Sequence, residues 1–589
     1  LQNHNKYKRN EVQQVKRYWK YIRPYIQYYI LGPGFMMMEV VGDVLLPYML
    51  AKIINQGIAE RNVAYIIKIG VIMGFIAVIM AVGGVLGAWF ASKAAMNFGA
   101  DLRMDLFEKI QQFSFQNIDN FSTGSLITRL TNDITQIQNM IMMTLRMCLR
   151  SPGILIGAMV MAFVISPKLA AIFIIVLPVL AVLIVVIMRR AFPQFRTLQE
   201  KLDALNSCIQ EGLVGIRLIK SFVRGDYEEM RFEKRNQQLK EANLTAMKTM
   251  LLYTPLMTLA LNITTVVVVW SGGNMIVAGN MQVGDLTAFT NYIVQIMSSL
   301  TMLSIAFLNW ARAIASFRRV GEVLDEKIDL TDENAKHKDR AVCEGSVEFQ
   351  NVSFRYYKNS PEWVIENISF KLEAGKTLGI IGSTGSGKST LVSMIPRLYD
   401  TDEGTVLVDG INVRDYGLKP LREGIGMVLQ NNTLFSGSII ENLKWGDEHA
   451  DEKAVRKAAQ NAQAAGFIDS FKDGYRTRLE QSGNNVSGGQ KQRLCIARAL
   501  LKCPKILILD DSTSAVDTAT ERAIREALHS EYKDMTKIII AQRIRSVMDA
   551  DEILVLDNGK TAGFGTHEQL LADCPVYREI YDVQNGREE

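Results

Sequence analysis

The chain has 589 residues, 48% of them hydrophobic and 22% charged, with a formal net charge of +5. That balance excludes a disordered or low-complexity protein, and so small a charge without a polybasic tract gives no nucleic-acid signal. At about 150 residues per domain the length allows roughly four domains' worth of sequence, unevenly filled: long apolar runs occupy residues 1–315, whereas 340–589 read like an ordinary soluble α/β domain. The six cysteines are scattered without a CxxC pair, so no structural metal site is expected. They point to a reducing compartment for the soluble part.

From the N-terminus, the first 20 residues are basic and aromatic and lack the apolar core of a cleavable signal peptide. Six apolar stretches of about 20 residues or more follow, near 27–52, 69–92, 138–166, 168–190, 249–276 and 286–312, each long enough for a hydrocarbon core of about 30 Å. Seven Lys/Arg lie between Lys6 and Arg23, and Arg318 and Arg319 follow the last stretch, whereas Gly272–Asp285 carries neither residue type. The positive-inside rule then puts both chain ends in the cytoplasm of a multi-pass protein of the cell membrane. Long polar connections with helical periodicity, Ala100–Asp133 and Arg189–Thr249, separate spans 2 and 3 and spans 4 and 5. They read as cytoplasmic helical hairpins whose tips break the pattern near Phe115–Gly124 and Ser221–Glu228. Glu39 and Asp43, four apart on span 1, share a helix face. A charge at membrane depth faces protein or water rather than lipid, so the pair is a candidate for attracting a cationic substrate. The alternative is that Asp43, four residues before Pro47, satisfies freed backbone groups or sits near the outer interface. Met36–Met38, Met140, Met142, Met143 and Met147 supply soft surface suited to varied apolar ligands or to gap filling.

In the soluble part, the apolar run Thr377–Ile381 leads into Gly382, Ser383, Thr384, Gly385, Ser386, Gly387, Lys388, Ser389 and Thr390, and a helical stretch follows. This is a complete GxxxxGK[ST] loop, in which backbone N–H groups curl round phosphates, Lys388 reaches the β/γ-phosphates and Ser389 holds Mg2+. A second apolar strand, Lys505–Leu509, ends in Asp510 and Asp511, and Asp510 suits a Mg2+ carboxylate. Between the two motifs lie Ser487, Gly488, Gly489 and Gln490 at a helix start.

Placed so, these motifs resemble those of the ABC transporters, specifically a half-size exporter, from about Val12 to Ile580. The resemblance implies an α-helical polytopic membrane domain of six spans with long cytoplasmic extensions, fused to an α/β P-loop ATPase domain. It implies a tail and elbow helix in 1–26 (the helix at 11–25), spans in 27–320, a linker at 321–345 and a nucleotide-binding domain in 346–589. The hairpin tips would be coupling helices. Tyr356 would stack on adenine, Gln430 would link the nucleotide and Mg2+ to the membrane part, and Ser514–Asp517 would form the D-loop, with Asp517 at the nucleotide. In the family two such domains close head to tail on two ATPs, each held between one chain's P-loop and the other's SGGQ.

Two positions depart from that pattern. Asp511 stands where the family has its hydrolytic glutamate, and its carboxylate falls about 1.5 Å short, one carbon–carbon bond. A misplacement of about 1 Å can cost on the order of 10²-fold in rate. Gln542 stands in place of the switch histidine and cannot carry a proton. Gln481 replaces a customary glutamate and Val486 a customary leucine. A site that binds ATP and hydrolyses it poorly, beside an intact Ser487–Gln490, implies a heterodimer with a homologous chain that supplies Glu and His. The expected function is ATP-driven export of amphipathic drugs or lipid-like compounds through the bilayer. The alternatives are a dedicated peptide exporter or an ATP-gated regulatory membrane protein.

Overall fold

The computed structural model describes residues 17–358, 360–512 and 516–584. They fall into two compact units, one containing residues up to 110 together with 124–325, the other 111–123 together with 326 onward. Most of the expected elbow helix, up to residue 16, lies outside the described residues; 17–22 are helical.

The first unit is built of long helices. Ile26–Lys52 contains Pro33 and Pro47 yet stays helical, as membrane helices do when their neighbours re-satisfy the freed carbonyls. Val63–Gln111 and Pro167–Val214 have 49 and 48 residues. At about 1.5 Å per residue each exceeds 70 Å, more than twice a hydrocarbon core, so their ends must leave the bilayer. Ser166 caps the second of these by accepting from Leu169 N, with Pro167 at its first position. By length and composition four helical stretches qualify to cross a membrane among the described residues: Val63–Gln111, Thr123–Ile165, Pro167–Val214 and Gly225–Val277. The first and sixth expected spans lie in Ile26–Lys52 and Val283–Asp325, which carry Glu39, Asp43 and Asp285. The expected third span is not one continuous helix: it turns at residues 148–149, between Ile134–Met147 and Arg150–Ile165.

Inside this unit Ala158, Ala162, Ala170 and Ala288 are fully buried, letting helices approach closely around the stacked Phe173–Phe289 pair. Outside, Val71, Phe75, Val85, Ile174 and Ile175 are each about two-thirds or more exposed. Apolar faces of that extent are at home only against lipid or another protein. Asn55 ties two helices together by donating to Asp285 Oδ1 (2.9 Å) and accepting from Gly284 N (2.7 Å). A Cβ at Gly284 would lie 2.4 Å from Ala51 O, which is why glycine stands there.

The tips of the two polar connections differ from one another. The first holds the short helix Phe115–Asp119, capped reciprocally by Ser114 and Asn117. The second holds Ile216–Ser221, and the helical pattern breaks after it at residues 222–224, inside the expected break at Ser221–Glu228. The long helix ends at Gly215 and Val223 turns the chain at φ 52°. Asp226 and Glu228 already belong to the first turn of Gly225–Leu251, where acidic side chains favour the helix terminus.

The second unit is a layered α/β domain. Strands β1 (Val347–Phe354), β2 (Ile365–Leu372), β4 (Glu403–Val408) and β5 (Ile411–Asn412) form an antiparallel sheet in the order β2-β1-β4-β5. Strands β3 (Thr377–Gly382), β6 (Ile425–Val428), β9 (Ile506–Asp510), β10 (Thr536–Ile540), β11 (Glu552–Asp557) and β12 (Lys560–Gly565) form the sheet β12-β11-β3-β10-β9-β6, parallel except for β12, while the short strands β7 (Gly437–Ser438) and β8 (Arg478–Leu479) pair separately. Strands β9 and β10 carry continuous Ile/Leu runs because both faces are covered.

Candidate nucleotide site

Adjacent parallel strands bring their carboxyl ends together, and ligands of open α/β sheets bind there. Register pairs Ile540 with both Ile380 and Asp510, so β3, β10 and β9 deliver the Gly382 loop, Gln542 and Asp510 to one edge. A cavity of about 210 Å³ opens between them, lined by Thr384–Thr390, Gln430, Asp510, Asp511 and Gln542, and also by Val364 and Ile540. Those last two escaped the sequence reading because they are unremarkable strand-end residues. Among the other expected residues, Gly382, Ser383, Tyr356, Ser487–Gln490 and Asp517 do not line it.

The loop is built on its glycines. Gly385 and Gly387 adopt φ of 87° and 88°, in the left-handed region. A Cβ on Gly387 would also meet Val364 O at 2.9 Å. Lys388 folds its ammonium onto the loop, donating to Gly382 O (2.9 Å) and Ser383 O (2.7 Å). Burial pushes its pKa down, against the pull of Asp510 and Asp511. Ser389 Oγ donates to Asp510 Oδ1 at 3.0 Å. Burial pushes the Asp510 carboxyl up, only partly offset by that hydrogen bond. Two hard oxygen atoms thus stand together beside Gln430, a donor set that fits Mg2+ completed by phosphate and water. Bound there, Mg2+ would supply charge neutralisation for the phosphates; Ser389 and Asp510 would orient it, and Lys388 would turn from the carbonyls toward a phosphate.

Asp511 sits at φ 46°, in the left-handed region, with its N–H donating to Ile540 O (3.1 Å). Its Oδ2 accepts from Gln542 Nε2 at 2.9 Å. Burial pushes this carboxyl up as well, with the Gln542 hydrogen bond opposing. The two positions that depart from the family pattern therefore bond to one another.

Away from the cavity, Tyr356 is 36% exposed and its hydroxyl lies 2.9 Å from Thr390 Oγ1. Ser487 starts the helix Gly488–Leu501: its Oγ accepts from Gln490 N, and its N–H donates to Gln490 Oε1 (2.9 Å). Asp517 caps Thr518–Glu531 through Thr520 N. Residues 514 and 515, half of the expected D-loop, lie outside the described residues. In the membrane unit, Glu39 and Asp43 share the guanidinium of Arg150, at 2.9 and 3.2 Å. Sequence reading missed that partner, which lies on another helix.

Comparison with known proteins agrees with this layout. Residues 29–300 match the family model of the ABC transporter transmembrane region, and residues 365–514 match that of the ABC transporter. The uncharacterized ABC transporter ATP-binding protein YfiB of Bacillus subtilis is 39% identical over 96% of this chain and 98% of its own length. The putative multidrug export ATP-binding/permease protein YgaD of the same organism is 33% identical over 97% and 99%. A solved structure of a bacterial Atm1-family ABC exporter with ATP bound superposes with a TM-score of 0.78 at 24% identity, covering 96% of this chain and 98% of that one. That last likeness speaks to the fold. The chain belongs to the ABC transporters, joining a helical transmembrane region to an ATP-binding domain whose hydrolysis of ATP is coupled to transport.

Proposed function

We propose that this chain is one half of a heterodimeric, ATP-driven exporter of amphipathic drugs or lipid-like compounds, and that its own P-loop site binds ATP but hydrolyses it slowly. The observation that carries the reading is the Asp511–Gln542 hydrogen bond of 2.9 Å. A hydrolytic carboxylate must be free to polarise water, with a partner beside the γ-phosphate that can take up and release a proton; here a short carboxylate is turned onto an amide that donates a hydrogen bond but does not titrate. Tyr356, Thr384–Thr390, Gln430 and Asp510 would retain Mg2+–ATP. Ser487–Gln490 and Asp517 lie away from this cavity, as residues would that complete a second site on a partner chain.

The second hairpin tip supports a partner. Val214, Leu218, Phe222 and Val223 are 62–88% exposed, an apolar cluster at the end of a polar connection. With both chain ends and the ATP-binding domain in the cytoplasm, that cluster would rest on the partner's ATP-binding domain.

The test is ATP turnover of this chain alone and co-purified with a homologous chain carrying Glu and His at the two positions. Low turnover alone should rise by about tenfold or more in the complex. Introducing Asp511→Glu with Gln542→His should raise turnover of the chain alone by on the order of 10²-fold. Brisk turnover of the unaltered chain alone would overturn the slow-site reading, and failure of inverted vesicles to accumulate a cationic dye would overturn the substrate class.

A further inference from the structure

A continuous aromatic path runs from the nucleotide side of the ATP-binding unit to the first hairpin tip. Tyr399 stands at its centre. Its ring meets Tyr356 edge-on at 5.3 Å and 85°, Phe354 at 5.5 Å and Phe115 at 6.0 Å. Its hydroxyl donates to Asp119 Oδ2 at 2.9 Å. Tyr356 is itself held on the P-loop side by Thr390. Every group named here belongs to the unit formed by residues 111–123 and 326 onward.

Both ends of the path are anchored. Behind Tyr399, Arg422 donates to Pro396 O (3.1 Å) and Arg397 O (2.8 Å), and Arg397 pairs with Asp400 (2.9 Å). The Tyr399 backbone is therefore fixed while its side chain projects. At the far end, Asn117 Nδ2 donates to Lys327 O (2.9 Å) and Glu326 Oε1 (3.2 Å), and Ser114 caps the short helix. Phe115 and Asp119 lie four apart, on one face of that helix, and both reach Tyr399.

We infer that Tyr399 is a positioning residue that couples base stacking on Tyr356 to the helix Phe115–Asp119, so that this tip senses whether the site holds a purine nucleotide. The inference rests on the reading of Tyr356 as the adenine shelf. A base laid on Tyr356 sets the tilt of that ring, and the edge-on contact with Tyr399 is orientation-dependent. Because the Tyr399 hydroxyl is committed to Asp119, a shift of the ring is felt at the tip. Tyr399 does not line the phosphate cavity, so its part lies in transmission rather than in holding phosphate.

The experiment is hydrogen exchange of residues 111–123 in the full complex in lipid nanodiscs, with and without Mg2+–ATP, beside ATP affinity. In the unaltered protein ATP should slow exchange of this segment about fivefold or more. Tyr399→Phe, which keeps the ring and loses the hydroxyl, should abolish most of that protection while shifting the Kd for ATP by no more than about threefold. Asp119→Ala should do the same, and the two together should add nothing further. Asp119→Asn, which keeps an acceptor, should behave as the unaltered protein does. Full ATP-dependent protection in Tyr399→Phe would overturn the inference. Tyr356→Ala separates the two levels: an unchanged Kd would sink the shelf reading and the inference with it. A Kd weakened about tenfold, with Tyr399→Phe still protected, would sink the inference alone.

Discussion

The two units treat their buried carboxylates in opposite ways. In the membrane unit, Asp133 is fully buried and meets Arg319 (Nε to Oδ2, 2.8 Å) and the Ser316 hydroxyl, while Glu39 and Asp43 share Arg150. In the ATP-binding unit, Asp510 is 4% exposed and its hydrogen bond comes from a neutral serine, while Asp511 takes one from a neutral amide. A guanidinium settles a carboxylate permanently, with charge and bidentate geometry. A hydroxyl or amide adds a hydrogen bond without a charge, and the positive charge felt at Asp510 and Asp511 comes from Lys388, whose ammonium donates to the loop carbonyls, and for Asp511 from Arg543 as well. On the proposed function, the difference separates charge used to fasten helices from charge kept for Mg2+ and phosphate.

The comparison breaks most visibly if a fastening cation is removed. Arg319→Met leaves Asp133 buried without its guanidinium and should cost about 3–5 kcal/mol, measured as thermal unfolding in detergent. Adding Asp133→Asn to it should recover most of that loss. A small effect of Arg319→Met would mean that Asp133 is served well enough by Ser316 and the charge of Arg129. The opposite sign is expected at the nucleotide site. Asp510→Asn removes a carboxyl that burial already penalises, so nucleotide-free protein should gain up to about 2 kcal/mol. The same change should abolish stabilisation by Mg2+–ATP. A loss of stability without nucleotide would mean that Asp510 is structural, and the contrast between the units would fail.

How far the sequence disclosed these features follows from the range of the interactions. The P-loop, the Ser487–Gln490 start and the end of β9 are written within a few residues, because a glycine turn, a cap and a strand edge are local geometry. The apolar runs likewise fell on long helices, although a run could not show the turn at 148–149 within the third. The break at the second tip was drawn four residues too far, to Glu228, because Asp226 and Glu228 look like loop residues until a helix start makes them favourable. Arg150 lies 111 residues from Glu39, and Tyr399 lies 280 from Asp119. No periodicity reports pairings at that distance, so an acid paired with a guanidinium and one bonded to a neutral group look alike in the chain.

The smallest expected effect sharpens the contrast furthest, because Ser487 belongs to both classes. Within this chain it is structural: it caps Gly488–Leu501 reciprocally with Gln490, and Ser487→Ala should cost about 1 kcal/mol. Ser487→Asp keeps a good capping oxygen and, with an anion at a helix N-terminus, should retain stability. If the segment serves only the fold, ATP turnover of the complex should follow stability, falling slightly in Ser487→Ala and not at all in Ser487→Asp. If it faces a partner's γ-phosphate, Ser487→Asp sets a carboxylate against that phosphate, and turnover should collapse in a protein whose unfolding temperature has not moved. A stable, inactive Ser487→Asp complex would place this serine with the charge kept for the nucleotide, whereas a stable, active one would return it to the fold.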